Sequence, residues 1–83
     1  MSEIRVRLKL FASYAEAAGR DEMDLMLMAG ATVADCLAAV KSQSWASRLP
    51  PSPAVAVNRR YARADAALVE GDEVALIPPV AGG

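Results

Sequence analysis

The chain has 83 residues, 54% of them apolar, and its charges almost cancel to a net charge of −1 at pH 7. A chain of this length forms one small domain, and its apolar content is too high for a disordered protein. The near-neutral balance argues against bulk electrostatic binding of nucleic acid. Because the N-terminus lacks an apolar signal segment and no apolar run approaches ~20 residues, we expect a cytoplasmic protein that does not enter a membrane.

The residues that most enzymes use for catalysis are scarce. The chain has no histidine and a single cysteine, Cys36. This composition removes Ser-His and Cys-His nucleophile pairs and Cys/His zinc sites. Cys36 falls on the apolar stripe of a predicted helix, which indicates a buried structural thiol rather than a reactive one. We therefore expect no metal site, no stably bound cofactor and no catalytic side chains.

The N-terminal segment is predicted to be a half-buried strand. Residues 4–11 alternate between apolar and other side chains, and the second face is basic. Two positions stay open for Phe11. It continues the basic face if the strand reaches it, or it caps the edge of the core if the strand has already ended.

A short helix and a second strand are predicted next. Residues 12–19 are rich in helix formers and end on Gly19, a typical C-terminal stop. Residues 22–28 alternate again, which predicts a strand paired with the first. Met26 and Met28 fall on its polar face, where they are either plain surface or a soft binding patch.

The main helix begins after Thr32, which is predicted to cap it together with Asp35. Its apolar residues recur at the i, i+3, i+4 and i+7 spacing, so they form one stripe that is predicted to face a sheet: Val33, Cys36, Leu37 and Val40. Residues 44–49 are predicted to add a helical turn that buries Trp45 and Leu49. Residues 50–53 are proline-rich and indicate a surface loop.

The C-terminal half is predicted to be mostly strands. Residues 54–58 form an interior strand that ends in a turn at Asn58, and residues 59–63 form a short strand with Tyr61 exposed. Leu68 is expected to enter the core before a turn at residues 70–72. The last strand covers residues 73–77, with Val74 and Leu76 on one face and Ala75 and Ile77 on the other.

This order of elements predicts an α+β fold. With strands one and two adjacent and the last strand beside the first, one main helix covers one face of a mixed sheet, as in the ubiquitin-like β-grasp. We expect this domain to cover residues 1–77 and an extended tail to cover residues 78–83. The other sheet face stays open, and its apolar members are predicted to bind a partner: Phe11, Tyr61 and Ile77.

The tail has the features of an acyl carrier. Pro78 and Pro79 lack backbone N–H donors and end the strand, and six residues from Pro78 span at most ~20 Å. Gly82 and Gly83 have no Cβ, so they pass a narrow channel easily. The chain ends in a carboxylate that needs activation before it reacts.

The ending Gly-Asp-Glu-Val-Ala-Leu-Ile-Pro-Pro-Val-Ala-Gly-Gly, residues 71–83, resembles that of the molybdopterin synthase small subunit family of sulfur carriers. The resemblance continues at Phe11-Ala12, Ala18-Gly19-Arg20, Thr32-Val33 and Ala56-Val57-Asn58. Two departures stand out. Ala15-Glu16 lies where many members have Arg-Glu, and residues 43–53 show no family pattern.

The resemblance implies a mechanism. An ATP-dependent enzyme would adenylate Gly83, and sulfur transfer would then convert it to a thiocarboxylate. The tail, comprising Pro78, Pro79, Val80, Ala81 and Gly82, would insert into the large synthase subunit. There the sulfur would pass to a cyclic pterin monophosphate precursor during molybdenum cofactor biosynthesis, within a heterotetramer of two large and two small subunits. ATP would be used by the activating partner.

Other functions remain open at the level of sequence. The chain could be another ubiquitin-like sulfur carrier, as in the thiamine pathway, or a protein modifier that forms isopeptide bonds. It could also be a ubiquitin-like interaction module whose tail has no chemistry. Deleting Gly82 and Gly83 separates the last alternative from the others, because an interaction module keeps its function without them.

Overall fold

The computed structural model describes residues 2–50 and 53–79, apart from the side chain of Arg48. Val80, Ala81, Gly82 and Gly83, which the sequence assigns to the tail, lie outside the described residues. The elements in chain order are β1 (Glu3–Leu10), α1 (Ala12–Ala18), β2 (Glu22–Met28), α2 (Val33–Lys41), a 3-10 helix (Ser44–Arg48), β3 (Ala54–Val57), β4 (Arg60–Tyr61) and β5 (Glu73–Ile77).

The strands form one mixed sheet in the order β2-β1-β5-β3-β4. β1 and β5 are parallel, whereas the other neighbouring pairs are antiparallel. The last strand therefore lies beside the first, and the predicted α+β β-grasp with one main helix is confirmed. None of the helices in the described ranges is long and apolar enough to cross a bilayer.

The core lies between the sheet and α2, as the two apolar periodicities predict. The alternating apolar residues of β1 are buried, and so are the facing residues of α2: Val6, Leu8, Leu10, Val33, Cys36 and Val40. Leu37 of the same helix, together with Trp45 and Leu49, is partly buried and packs against this core. Leu68 is also buried, as expected, and it contributes to the same cluster.

Local signals placed the turns and caps correctly. Thr32 and Asp35 form a reciprocal capping box at the start of α2, with a 2.9 Å bond from the Thr32 N–H to the Asp35 carboxylate. Gly19 ends α1 in the left-handed region, at φ 77°. Asn58 and Arg59 both have positive φ, and they connect β3 to β4 as a two-residue hairpin turn.

Phe11 combines the two alternatives that its sequence position left open. β1 ends at Leu10, and Phe11 becomes the N-cap residue of α1. Its backbone stays extended, with φ −129° and ψ 151°, so its side chain keeps the alternation of the strand. Phe11 consequently lies on the open face with Lys9 and Ile77, although the strand has ended.

Candidate functional site

The tail leaves the sheet at the end where β1 also finishes. Leu10 lies beside Leu76 in the parallel pair, and Ala54 at the start of β3 lies opposite Ile77. Pro78 follows directly and is half-buried, whereas Pro79 is exposed. The end of β5, which is the root of the tail, is therefore held between β1 and β3. The strand ends at Ile77, as predicted.

An apolar patch lies on the open face beside this root. We call it the tail-side patch, and it consists of Phe11, Ala56, Tyr61, Ala75 and Ile77. The strand register aligns Ala75, Ala56 and Tyr61 in one cross-strand row. The two alanines are only 6% and 8% exposed, whereas Tyr61 is 79% exposed. The patch thus has a floor of small residues between two larger rings and Ile77.

Charged side chains border the same depression. The Lys9 Nζ lies 3.9 Å from the Glu73 carboxylate, and Arg59 lines the depression near Tyr61. The depression has a volume of about 300 Å³. A partner would therefore meet an apolar floor with both signs of charge at its rim. The sequence predicted Phe11, Tyr61 and Ile77 here. It also placed Ala75 on the same face as Ile77, but it named neither Ala75 nor Ala56 as a binding residue.

A second groove continues from the patch towards the base of the tail. Tyr61 and Ile77 belong to both surfaces, and the remaining lining residues are Tyr14, Pro50, Pro53, Ala54, Pro78 and Pro79. Tyr14 is buried, and its hydroxyl has no hydrogen-bond partner among the residues that the structure describes. The sequence did not single out Tyr14, because its aromatic ring carries no signal of its own in a short helix.

A hydrogen-bond network holds the start of β5. The Asn58 side chain donates to Asp72 at 2.9 Å and accepts from the Glu73 N–H at 3.0 Å. The other Asp72 oxygen accepts from the Val69 N–H at 2.8 Å. Because a one-residue slip would turn every β5 side chain to the opposite face, this network keeps Ile77 on the tail-side patch.

The same turn is also tied to β1. The Gly71 N–H donates to the Arg5 carbonyl at 2.8 Å, and the Arg5 N–H donates to the Glu70 carboxylate at 2.8 Å. Gly71 has φ 87°, a conformation that glycine adopts without a Cβ clash. The predicted turn at residues 70–72 thus sets the register of β5 against β1.

Cys36 lies inside the hydrophobic core. Its side chain is 0% exposed, and burial raises the pKa of the thiol to about 11. The thiol is therefore protonated at neutral pH and cannot act as a nucleophile there. Within the described ranges, no three His, Cys, Asp or Glu side chains lie close enough together to hold a metal ion.

The chain is similar in sequence and in fold to known proteins. The chain is 35% identical over 83 residues to the molybdopterin synthase sulfur carrier subunit of Chlamydomonas reinhardtii, which covers 96% of this chain and 100% of that protein. The structure is similar to small archaeal modifier protein 1 of Haloferax volcanii, with a TM-score of 0.83 and 34% identity over 93% of this chain and 99% of that one.

A third likeness concerns the fold alone. It is to a complex of subunits 1 and 2 of the molybdopterin-converting factor from Helicobacter pylori, with a TM-score of 0.73, 18% identity and coverage of 96% of this chain and 100% of that one. The model of the ThiS family matches residues 8–83, which include every element of the sheet except the first residues of β1. The chain is thus a homologue of a molybdopterin synthase sulfur carrier subunit, and it belongs to the ThiS family.

Proposed function

We propose that this chain is the sulfur carrier subunit of a molybdopterin synthase. Gly83 becomes a glycyl adenylate and then a thiocarboxylate, whose sulfur is donated to a cyclic pterin monophosphate precursor. One observation carries the proposal. β5 ends at Ile77 inside the tail-side patch, and the sequence then continues through Pro78 and Pro79 to a terminal Gly-Gly. A docking surface and a reactive terminus would then lie within a few residues of each other.

The activation step has a physical reason. A terminal carboxylate has a pKa of about 3.3–3.7, so it is ionised at neutral pH and is a poor acyl donor. Attack of a carboxylate oxygen on the α-phosphate of ATP gives an acyl adenylate and pyrophosphate. A sulfur nucleophile at the oxidation level of sulfide, HS⁻, then attacks the Gly83 carbonyl carbon, AMP leaves, and a C–S bond replaces the C–O bond, so the thiocarboxylate forms without an oxidant or a reductant. An ATP-dependent adenylating enzyme supplies both the nucleotide site and the acid-base groups.

The delivery step needs a second partner. The Chlamydomonas reinhardtii relative is named as one subunit of a synthase. On that ground we propose that this chain also has a large-subunit partner. The four residues after Pro79 span at most ~14 Å, so the tail-side patch must dock close to the reacting centre. The tail from Pro78 to Gly82 then enters the large subunit, which holds the pterin.

A second candidate is a protein modifier. The likeness to small archaeal modifier protein 1 favours it, since that protein is similar over nearly its whole length. In this case the activated Gly83 carbonyl would be attacked by a lysine amine of a target protein, and AMP or a thiol would leave. Both candidates share the activated terminus, and they differ in the acceptor.

Intact mass spectrometry of the chain purified from cells tests the proposal. A sulfur carrier gains the mass difference between one sulfur and one oxygen atom, and the gain maps to Gly83. A variant that lacks Gly82 and Gly83 should fold but never show this gain. A protein modifier instead appears in covalent conjugates on denaturing gels. If the full chain shows neither product in cells that make the cofactor, the proposal is wrong.

A further inference from the structure

β2 forms a free edge of the sheet. It is the outermost strand in the order β2-β1-β5-β3-β4, and within residues 2–50 and 53–79 it pairs only with β1. Among the described residues, the backbone hydrogen bond that reaches its outer side is a local one, from the Ala31 N–H to the Met28 carbonyl. β2 is seven residues long, from Glu22 to Met28. An edge of this length offers a row of unpaired donors and acceptors.

The flanking hydrogen bonds identify which residues point outward. Leu10 donates to the Asp21 carbonyl and Ala29 donates to the Ser2 carbonyl, and both pairs continue the β1–β2 register. Bonded and non-bonded pairs alternate along an antiparallel ladder. The odd-numbered residues of β2 therefore direct their backbone groups towards β1. The outward groups belong to the even-numbered residues Glu22, Asp24, Met26 and Met28.

The side chains of these four residues divide the edge into two halves. All four lie on the open face, with two acids first and two methionines after them. Met26 and Met28 are 52% and 50% exposed. Arg7 lies 3.6 Å from Glu22 and 4.0 Å from Asp24, so one cation faces two carboxylates. The edge is thus acidic at its start and apolar at its end.

A second copy of the chain fits this edge poorly when it pairs through its own β2. Two β2 strands paired antiparallel about Leu25 would place Asp24 opposite Met26, and pairing about Asp24 would place it opposite itself. Neither register brings a basic side chain to the acids, and like or unmatched charges at an edge oppose pairing. The charge pattern therefore favours a partner that supplies cations.

We propose that the β2 edge binds an extended segment of a partner protein, which adds to the sheet as an antiparallel strand. From its N-terminus the segment reads apolar, any, apolar, any, basic, any, basic. Its apolar residues lie opposite Met28 and Met26, and its basic residues lie opposite Asp24 and Glu22. Backbone bonds provide affinity and the alternate side chains provide specificity in this mode of recognition.

The site is separate from the tail and goes beyond the proposed function. β1 lies between β2 and β5, so the outer edge of β2 and the tail-bearing strand are about two strand spacings apart, or ~10 Å. A segment held at β2 leaves the tail-side patch accessible. Binding should consequently be the same in a variant that lacks Gly82 and Gly83, whether or not the tail carries sulfur.

The test uses a capped peptide, acetyl-Ile-Thr-Ile-Thr-Lys-Thr-Lys-amide, titrated into the isotope-labelled full chain. We expect saturable changes in the backbone amide signals of Asp24, Met26 and Met28. A peptide with both lysines replaced by glutamate should bind at least ~10-fold more weakly, since it places like charges opposite each other. N-methylation of the third and fifth peptide residues should abolish binding because it removes inward donors, whereas N-methylation of the second and fourth should not.

Protein variants complete the test. The double variant Glu22→Gln with Asp24→Asn should lower the affinity for the peptide at least ~5-fold. Asp65 is an exposed acid elsewhere, so Asp65→Asn should leave the affinity unchanged. Absence of saturable binding at millimolar peptide overturns the proposal, as does equal binding of the two N-methylated peptides. Concentration-dependent changes at the same amides without peptide also overturn it, because they would assign the edge to a second copy of the chain.

Discussion

The side-chain amide of Asn58 donates a 2.9 Å hydrogen bond to the carboxylate of Asp72, which lies 14 residues later in the chain. The same side chain accepts from the Glu73 N–H, so Asn58 joins the β3–β4 turn to the first residue of β5. The conformation of Asn58, with φ 51°, is one that asparagine tolerates better than most residues. This contact therefore connects a local turn preference to the placement of the tail.

The Asn58 network should contribute measurably to stability. In Asn58→Gly the positive φ is accommodated, but Asp72 and the Glu73 N–H lose their partner, so we expect a loss of ~1–3 kcal/mol in the free energy of unfolding. Arg59→Gly is the matched control, because Arg59 also has positive φ and its side chain is exposed. It should be neutral or slightly stabilising. Equal urea midpoints for the two variants would show that the Asn58 bonds contribute nothing.

The tail-side patch should bind partners without supporting the fold. Tyr61→Asp should weaken binding to the adenylating enzyme or the large subunit at least ~10-fold, because large aromatic anchors often dominate interfaces. Its thermal midpoint should stay near that of the parent, since Tyr61 is 79% exposed. Val69→Asp is the control, an apolar residue that is 62% exposed and does not line the patch. Calorimetric titration should detect the loss only in the Tyr61 variant.

Cys36 should affect stability at high pH and have no role in sulfur loading. Burial raises the thiol pKa from 9.0 to about 11, so the unfolded chain loses this proton before the folded one does. The protonated thiol therefore contributes to the free energy of unfolding. This contribution is fully present below pH 9 and is lost as the pH rises towards 11, and it totals on the order of 2–3 kcal/mol. The stability of the parent should thus fall more steeply over this range than that of Cys36→Ala, in urea unfolding at each pH.

In a reconstituted loading reaction, Cys36→Ala should form the Gly83 thiocarboxylate as the parent does. Removal of Gly83 should abolish the product. If the cysteine variant alone fails to load sulfur, the assignment of the chemistry to the terminus is wrong.

Gly82 should matter for passage through the partner and not for folding. Gly82→Val adds a branched side chain next to the reacting residue and restricts the backbone, whereas Gly adopts angles that other residues cannot. We expect an unchanged thermal midpoint and normal binding through the tail-side patch. Sulfur transfer should fall ~10²-fold or more, as expected when reacting atoms are misplaced by about 1 Å. Single-turnover transfer from a preloaded variant measures this step, and near-parent rates would refute the channel argument.

Local patterns were sufficient for most elements of this protein, although β4 covers only Arg60–Tyr61 of the strand predicted over residues 59–63. The alternation in β1 and β2, the Thr32 cap and the stripe of α2 each depend on residues a few positions apart, so the sequence alone determined them. The terminal Gly-Gly after Pro78 and Pro79 was visible for the same reason. These signals also identified the parity that puts Tyr61 and Ile77 on the open face.

Only the tertiary structure decided which strands are neighbours in the sheet and in which register they pair. The register of β5 depends on Asn58, Asp72 and Gly71, which meet across long sequence separations, and no short window contains that information. Ala56 and Ala75 become the floor of a binding surface because two distant strands pair, and β2 becomes a free edge because the other strands assemble on one side of β1. Pairing between strands is a non-local property, since its energy comes from contacts that exist only after the chain has folded.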